Sequence, residues 1–269
     1  MLTITQSRIR LYQACPRAYF LKYVRQLVWP AANARNFNTD TGSRFHTMVK
    51  QLLLGLPADR VRAGCVDDKE RGLLDSFLVN NPLEGCSPIY TEKKLTALHA
   101  GVLWEGIFDV LAFRGDKLLI FDWKTSSRPA SRAACMDSPQ THLYRFIAKR
   151  RGGRLLGRRE EFPAENIEMI YWYPAHPDHP VELPYSEKAY LQELTYLNDK
   201  AAAMSAEDEA SYSQTDDESQ CASCPYRAYC GRDIPSEEEP MPDYAEDAFQ
   251  TSFNFPDLPL PDEGQEVNF

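Results

Sequence analysis

Two aspartates and a lysine lie on one β-hairpin of the sequence. Strand-forming residues fill 107–124 on either side of Gly115-Asp116, a dipeptide that suits a two-residue type II′ loop. With this loop, Asp109 lies directly opposite Asp122, and their Cβ atoms are expected about 5 Å apart. Strand alternation places Lys124 on the same face as Asp122. The hairpin therefore predicts two facing carboxylates beside one ammonium group.

Two facing carboxylates repel each other, so their charge must be offset. A divalent cation between Asp109 and Asp122 would offset it, and oxygen ligands favour Mg²⁺ or Mn²⁺. The alternative is an exposed hairpin with surface carboxylates. The apolar flanks indicate that the two carboxylates are buried. Because acids are rarely buried without a partner, this burial favours the cation site. Such a cation could bind a phosphate oxygen and lower the pKa of a water beside Lys124, which suits phosphodiester hydrolysis.

The elements around this hairpin alternate between helices and strands. Hydrophobic periodicity and capping residues predict helices over about 5–24, 41–53, 60–80, 138–151 and 187–204. Strands are expected at about 89–97, 102–113, 118–124 and 167–173. This pattern is typical of a mixed α/β fold.

The net charge of −9 over 269 residues comes from one end of the chain. Residues 234–269 contain ten acids, six prolines and no Lys or Arg, which predicts a disordered acidic tail that could bind a partner. The rest is near neutral, so its charge does not exclude nucleic acid as a partner. No apolar run reaches the roughly 18 residues of a membrane helix. The start lacks a signal-peptide core, so we expect a cytoplasmic protein without membrane contact.

A basic cluster follows the predicted helix 138–151. Residues 145–159 contain seven basic residues and no acid. This density favours a surface that follows nucleic-acid phosphates over an ordinary solvated helix end. The residues that we assign to this interface are Arg145, Lys149, Arg150, Arg151 and Arg154.

Three cysteines form the pattern Cys221-x-x-Cys224-x5-Cys230 near the end of the chain. A cytosolic protein would not use such a cluster for disulfides. Three thiolates need a fourth ligand to close a metal site. Zinc and an iron–sulfur cluster both suit four cysteines.

Gly106-x-x-Asp109 followed by Asp122-x-Lys124 resembles the PD-(D/E)xK nuclease superfamily. Gly42-x-x-x-His46, Gln140-x-x-x-Tyr144 and Tyr12-x-x-Cys15-Pro16-Arg17 resemble further motifs of its RecB/AddB-like branch. That branch includes the CRISPR-associated iron–sulfur exonucleases. The resemblance implies a restriction-endonuclease-like core, in which helices flank a central mixed sheet, and a helical N-terminal part.

The resemblance, which spans roughly residues 5–232, also implies roles for single residues. The ligands of Mg²⁺ or Mn²⁺ would be His46, Asp109, Asp122 and the Trp123 carbonyl, with Glu92 as a further candidate. Lys124 would be the catalytic lysine. Gln140 and Tyr144 share a helix face and would support the site or touch DNA.

The resemblance assigns the fourth cysteine ligand to Cys15. Together with Cys221, Cys224 and Cys230, it would bind a [4Fe–4S] cluster that ties the N- and C-terminal segments together, with Zn²⁺ as the alternative. The expected organisation is a nuclease domain over 1–233 that contains this link, followed by the acidic tail over 234–269.

These features predict a metal-dependent DNA exonuclease that acts on single strands or DNA ends, in repair, recombination or CRISPR adaptation. The sequence has no helicase motif, so unwinding would need a helicase or another repair or recombination protein. One alternative is a non-catalytic nucleic-acid-binding module, although Asp109, Asp122 and Lys124 are all present. Another is a zinc-stabilised interaction protein with an acidic tail.

Overall fold

A computed structural model describes residues 1–27 and 37–232 of the chain, so the predicted tail at 234–269 lies outside the described residues. The helices are α1 (Gln6–Ala14), α2 (Pro16–Tyr19), α3 (Phe37–Leu53), α4 (Ala58–Ala63), α5 (Asp68–Asn80), α6 (Arg132–Met136), α7 (Pro139–Arg151) and α8 (Glu187–Met204). The strands are β1 (Thr3–Ile4), β2 (Ile89–His99), β3 (Val102–Arg114), β4 (Lys117–Trp123), β5 (Ile167–Trp172) and β6 (Val181–Pro184).

The six strands form one mixed sheet. Five of them are ordered β1-β3-β4-β5-β6, and β2 pairs with the edge of β3 opposite to β1 and β4. The pairs β1–β3 and β4–β5 are parallel, and the others are antiparallel. Helix α7 connects the parallel strands β4 and β5 across one face. This architecture confirms the predicted central mixed sheet flanked by helices.

Two apolar cores cover the two faces of the sheet. On one face, residues of α1, α7 and α8 pack on Leu111, Ile120 and Met169. On the other face, residues of α3 and α5 pack on Val110 and Phe121. Strands β3 and β4 are therefore buried on both sides, as their apolar sequences predict. None of the described helices is long and apolar enough to cross a membrane.

The predicted N-terminal helix is interrupted at Cys15. This residue is extended, with φ −160° and ψ 105°, because the proline that follows disfavours helical backbone at the preceding position. Pro16 begins α2, and the Cys15 sulfur accepts the Ala18 N–H at 3.4 Å. The interruption places the cysteine sulfur at the start of a helical turn.

Helices α7 and α8 are joined by an ion pair in the core. Arg145 donates through Nε to Glu193 Oε1 at 3.0 Å, and its side chain is only 1 % exposed. Tyr185 donates its hydroxyl to the other oxygen of the same carboxylate. The prediction that Arg145 contacts nucleic acid is therefore wrong, because this guanidinium is buried against α8 and neutralises Glu193.

Replacement of Arg145 by methionine is expected to destabilise the fold strongly. The variant leaves the Glu193 carboxylate buried without its cation, and such a loss costs about 3–5 kcal/mol. Arg150→Met is the matched control, because Arg150 pairs at 2.8 Å with Glu161 near the surface. There the expected cost is about 0–1 kcal/mol. Urea unfolding measures both, and equal midpoints would show that the buried pair contributes no more than the surface pair.

Candidate active site

The hairpin of β3 and β4 has the predicted register as far as its last ladder pair. Arg114 pairs with Lys117 around the two-residue loop, in which Gly115 has φ +62°. The ladder ends at Val110–Phe121, one position before the two aspartates. There the strands separate, and the Asp109 carboxylate accepts the Trp123 N–H at 2.9 Å. Asp109 and Asp122 therefore lie beyond the last ladder pair, where the two strands are no longer paired with each other.

Asp109 is also absent from the described ladder between β2 and β3. The pairs on either side are Thr91–Val110 and Lys93–Phe108, and the intervening Glu92 has φ +49°. The Thr91 hydroxyl donates to the Asp109 carbonyl at 3.3 Å. A left-handed conformation is uncommon for a glutamate and costs energy. This local distortion accompanies the placement of the Glu92 carboxylate near Asp109.

His46 reaches the two aspartate strands from α3. A Cβ at Gly42 would lie 3.1 Å from Thr125 Oγ1, so glycine at this position lets the helix approach the end of β4. His46 Nδ1 lies 3.2 Å from Asp109 Oδ1, and Nε2 lies 3.0 Å from the Trp123 carbonyl oxygen. The imidazole therefore bridges a carboxylate and a carbonyl.

The carboxylate of Asp109 controls the charge of His46. Burial disfavours the imidazolium, but the charge and hydrogen bond of Asp109 outweigh it and raise the pKa of His46 to about 9. Burial likewise opposes ionisation of Asp109, yet the charge and hydrogen bond of His46, the Trp123 N–H and the Lys124 ammonium together lower the pKa of Asp109. In the metal-free protein, the protonated imidazole donates to both Asp109 and the Trp123 carbonyl.

Asp122 and Lys124 form a second polar group with Gln140 of α7. Lys124 Nζ lies 3.0 Å from Asp122 Oδ2 and donates to Gln140 Oε1 at 3.4 Å. Gln140 donates through Nε2 to Asp122 Oδ1. The Ser138 cap and Pro139 at the first helical position start α7 here and present Gln140 to β4. Burial raises the pKa of Asp122, although the Lys124 ammonium opposes this effect.

Tyr144 lies one turn after Gln140 and packs on β3. Its hydroxyl donates to the Ile107 carbonyl at 2.6 Å. This carbonyl lies between the β1 pairing at Leu103–Trp104 and the β4 pairing that begins at Val110. Tyr144 thus satisfies a backbone acceptor at the gap in the sheet where the site is built.

Gly106 allows the Tyr144 ring to lie against β3. A Cβ at this position would lie 3.1 Å from Tyr144 Cε1 and 3.3 Å from Phe108 Cε2. Gly106→Ala is therefore expected to destabilise the fold by about 1–3 kcal/mol through overpacking. The control is Gly72→Ala in α5, where a Cβ meets nothing within 4 Å and alanine favours the helix. The unfolding temperature should fall in Gly106→Ala and rise in Gly72→Ala. A Gly106→Ala variant as stable as the wild type would refute the close packing.

The ligand atoms of His46, Glu92 and Asp109 lie within 4.8 Å of one another, and among the described residues these three form the cluster that suits a metal ion. Asp122 is buried beside this cluster, and its Oδ2 forms an ion pair with the Lys124 ammonium at 3.0 Å. Burial, followed by the charge of Asp109, raises the pKa of Glu92. A set of carboxylates with one imidazole fits a hard divalent cation.

The structure thus brings together His46, Asp109, Asp122, Lys124, Gln140 and Tyr144, as the motifs predict. It adds Glu92, whose position the sequence left open. Strand alternation could not place Glu92, because its backbone departs from a regular strand. In the structure, the Asp122 side chain contacts Lys124 and Gln140 and lies outside the cluster of His46, Glu92 and Asp109.

The basic cluster lies at the far end of α7. Gln140 and Arg151 are separated by about 16 Å along the helix, at 1.5 Å per residue. Lys149 is buried and pairs at 2.8 Å with Glu187, so its predicted contact with nucleic acid is wrong for the same reason as that of Arg145. Arg150 and Arg151 are half-buried and Arg154 is exposed. Burial and the charges of its arginine neighbours lower the pKa of Arg151.

The thiol of Cys15 interacts electrostatically with those of Cys224 and Cys230, although about 200 residues separate Cys15 from them. Burial raises the pKa of the Cys224 thiol, and the neighbouring thiols of Cys15, Cys221 and Cys230 add to this effect. The Arg17 N–H donates to the Ser213 carbonyl at 3.0 Å, which joins α2 to the C-terminal segment. The electrostatic interactions of Cys230 likewise include the thiols of Cys15 and Cys221.

A mixed sheet that carries carboxylates, a histidine and a lysine at the split end of a hairpin defines a metal-dependent phosphodiester hydrolase site. Residues 3–231 match the model of the PD-(D/E)XK nuclease superfamily. The chain belongs to this superfamily of nucleases.

Two solved structures resemble the chain at low sequence identity. One is a candidate exonuclease from Eubacterium rectale, with 8 % identity, a TM-score of 0.45, and coverage of 75 % of this chain and 79 % of that chain. The other is SSO0001, with 14 % identity, a TM-score of 0.35, and coverage of 86 % of each chain. No curated protein matches the chain.

Proposed function

We propose that the protein is a DNA exonuclease that acts on single strands or DNA ends in repair, recombination or CRISPR adaptation. The observation that carries this proposal is the meeting of Asp109, His46 and Lys124 where β3 and β4 separate. The PD-(D/E)XK superfamily match supports the nuclease chemistry.

Mg²⁺ or Mn²⁺ would be held by His46, Glu92 and Asp109, with Asp122 and the Trp123 carbonyl beside them. When bound, such an ion polarises a phosphate oxygen and lowers the pKa of water. Asp122 and Gln140 hold the Lys124 ammonium, and a quarter of its side chain remains exposed. The ammonium can therefore orient the attacking water or neutralise charge that develops on the phosphate.

End-labelled and circular DNA test the nuclease proposal directly. Linear single- and double-stranded DNA labelled at either end should be degraded from one end in Mg²⁺ or Mn²⁺, whereas chelator and Asp122→Ala should stop cleavage. Circular single strands should survive. Cut circles would overturn the exonuclease mode, and DNA binding without cleavage in any metal would favour a non-catalytic binding module.

We assign a [4Fe–4S] cluster to Cys15, Cys221, Cys224 and Cys230. Structural zinc sites more often use two local Cys-x-x-Cys pairs, whereas here one ligand lies far in sequence from the other three, and this favours the cluster over zinc. Reduced cysteines suit a cytoplasmic location.

Anaerobic purification tests the cluster assignment. The wild-type chain should be brown and contain four iron atoms for its four cysteines. Cys224→Ser should lose iron and become sensitive to proteolysis near both ends, whereas Cys86→Ser, outside the group, should retain iron. Stoichiometric zinc without iron would replace the cluster by the zinc alternative.

Arg150, Arg151 and Arg154 remain candidates for contacts with DNA phosphates. Arg150 and Arg151 lie at the end of α7 remote from Gln140, and Arg154 lies in the turn that follows. These arginines would therefore hold the strand away from the cleaved bond. Arg154→Gln should weaken DNA binding and reduce its salt dependence, with little change in the cleavage rate at saturating DNA. Unchanged binding would remove this surface from the interface.

A further inference from the structure

Arg232 donates a hydrogen bond to the sulfur of Cys221. Its Nη1 lies 2.8 Å from Cys221 Sγ, and its Nη2 donates to the Thr215 carbonyl at 2.7 Å. The side chain is about one-fifth exposed, and Nε lies 3.9 Å from a Glu218 carboxylate oxygen. The guanidinium is therefore fixed at two points, one of which is a cysteine sulfur.

The chain turns sharply to bring Arg232 to this position. Gly231 has φ +67° and ends the short turn Arg227–Cys230. Glycine adopts this left-handed conformation without the steric cost of a Cβ, and Arg232, the next residue, reaches the Cys221 sulfur. The Arg232 N–H then donates to the Arg227 carbonyl at 3.3 Å. The sequence Cys230-Gly231-Arg232 thus contains one proposed ligand, Cys230, and the hydrogen-bond donor to another proposed ligand, Cys221.

The partner of Cys221 differs from that of Cys15. The Cys15 sulfur accepts a neutral backbone N–H from Ala18 at 3.4 Å. Cys221 instead accepts a charge-assisted hydrogen bond from a guanidinium, which is stronger than a hydrogen bond from a neutral donor. Because Thr215 anchors the other arm of the guanidinium, Arg232 meets the sulfur without further ordering of the side chain.

We propose that Arg232 is a positioning residue that holds the Cys221 thiolate, slows metal loss from the cysteine site and raises the reduction potential of its cluster. The inference rests on the proposed [4Fe–4S] cluster. Hydrogen bonds to ligand sulfurs and nearby charge set the potentials of such clusters, and residues behind the ligands tune metal affinity. The positive guanidinium favours the reduced cluster because that state carries one more negative charge.

The test compares the full-length wild type, Arg232→Gln and Arg227→Gln, all purified without oxygen. Arg227 is a matched control because it donates to the Ala222 carbonyl at 3.3 Å and to no cysteine sulfur in the described segment. The measurements are iron per chain, the midpoint potential in a dithionite titration, and the rate of iron release to a chromogenic chelator. Arg232→Gln should bind iron, show a more negative potential and release iron about tenfold faster. Arg227→Gln should match the wild type.

Equal potentials and release rates in Arg232→Gln and the wild type would overturn the role of Arg232 and leave the cluster intact. A wild-type chain that contains zinc instead of iron would overturn the cluster and the effect on potential. The release assay then uses zinc, and faster loss from Arg232→Gln would still support the holding role. If Arg232→Gln does not fold, Arg232→Lys should release metal faster than the wild type, and a wild-type rate would count against the proposal.

Discussion

Lys124→Met is expected to slow DNA cleavage by about 10²–10⁴-fold while metal binding persists. That range is the contribution of a well-placed proton-transfer or charge-stabilising side chain. Methionine keeps much of the volume of lysine but removes the ammonium 3.0 Å from Asp122 Oδ2. The cation ligands His46, Glu92 and Asp109 are unchanged in the variant. Single-turnover cleavage and Mn²⁺ titration separate the catalytic step from metal binding.

The control for this prediction is Lys117→Met at the other end of β4. Lys117 pairs at 3.5 Å with Glu168 on the surface, far along the strand from the carboxylates. The Lys117→Met variant should cleave DNA at the wild-type rate and unfold at nearly the wild-type temperature. If Lys124→Met retains more than a tenth of the wild-type rate, or loses Mn²⁺ altogether, Lys124 is not the catalytic lysine.

The hairpin could be predicted from sequence because its loop and its apolar strands depend on local chemistry. Gly115 adopts the positive φ that the two-residue loop requires, and the register follows from the loop length. The buried flanks of Asp109 and Asp122 likewise follow from apolar residues on both faces of β3 and β4. These features need no knowledge of distant segments.

The sequence could not show how the sheet opens around Asp109. Phe108 packs in the core with α7, whereas Val110 packs in the core with α3, so the regular alternation fails at the residue between them. The same distortion gives Glu92 its positive φ and brings it to the metal cluster. A period-two pattern assumes a regular strand, and active sites are where such regularity is most often lost.

The basic run at 145–159 led to wrong predictions for Arg145 and Lys149 for a different physical reason. Charge density along the chain does not reveal which side of a helix faces the core. The Glu193 carboxylate that neutralises Arg145 comes from α8, nearly fifty residues later. Glu187 likewise neutralises Lys149 from a distant helix. Only the packing of α8 on α7 separates these two structural cations from the more exposed arginines at the end of the helix.

The second large expected effect is a strong increase in metal affinity with pH. In the metal-free protein, Asp109 raises the pKa of His46 to about 9, so the imidazole is protonated at neutral pH. A metal ligand must be neutral imidazole, so binding releases this proton. One released proton strengthens binding by up to about tenfold per pH unit below the pKa of His46. Mn²⁺ affinity, measured without oxygen from pH 6.5 to 8.5, should therefore rise by up to about a hundredfold.

The stability of the metal-free protein should change in the opposite direction. The pKa of His46 rises from 6.5 in the unfolded chain to about 9 in the folded chain. Its contribution to stability is therefore complete below pH 6.5 and is lost as pH rises through 9. Thermal unfolding temperatures should fall over this interval without metal, and the increase caused by Mn²⁺ should grow over the same interval.

His46→Gln is the control for both pH effects, because an amide can accept or donate hydrogen bonds but carries no charge in this range. The variant should bind Mn²⁺ weakly, with a flatter pH dependence and a flatter decline in metal-free stability. The raised pKa values of Asp122 and Glu92 leave a residual dependence of the same sign at lower pH. If wild-type Mn²⁺ affinity is constant from pH 6.5 to 8.5, His46 is already neutral, and the imidazolium bridge between Asp109 and the Trp123 carbonyl does not exist.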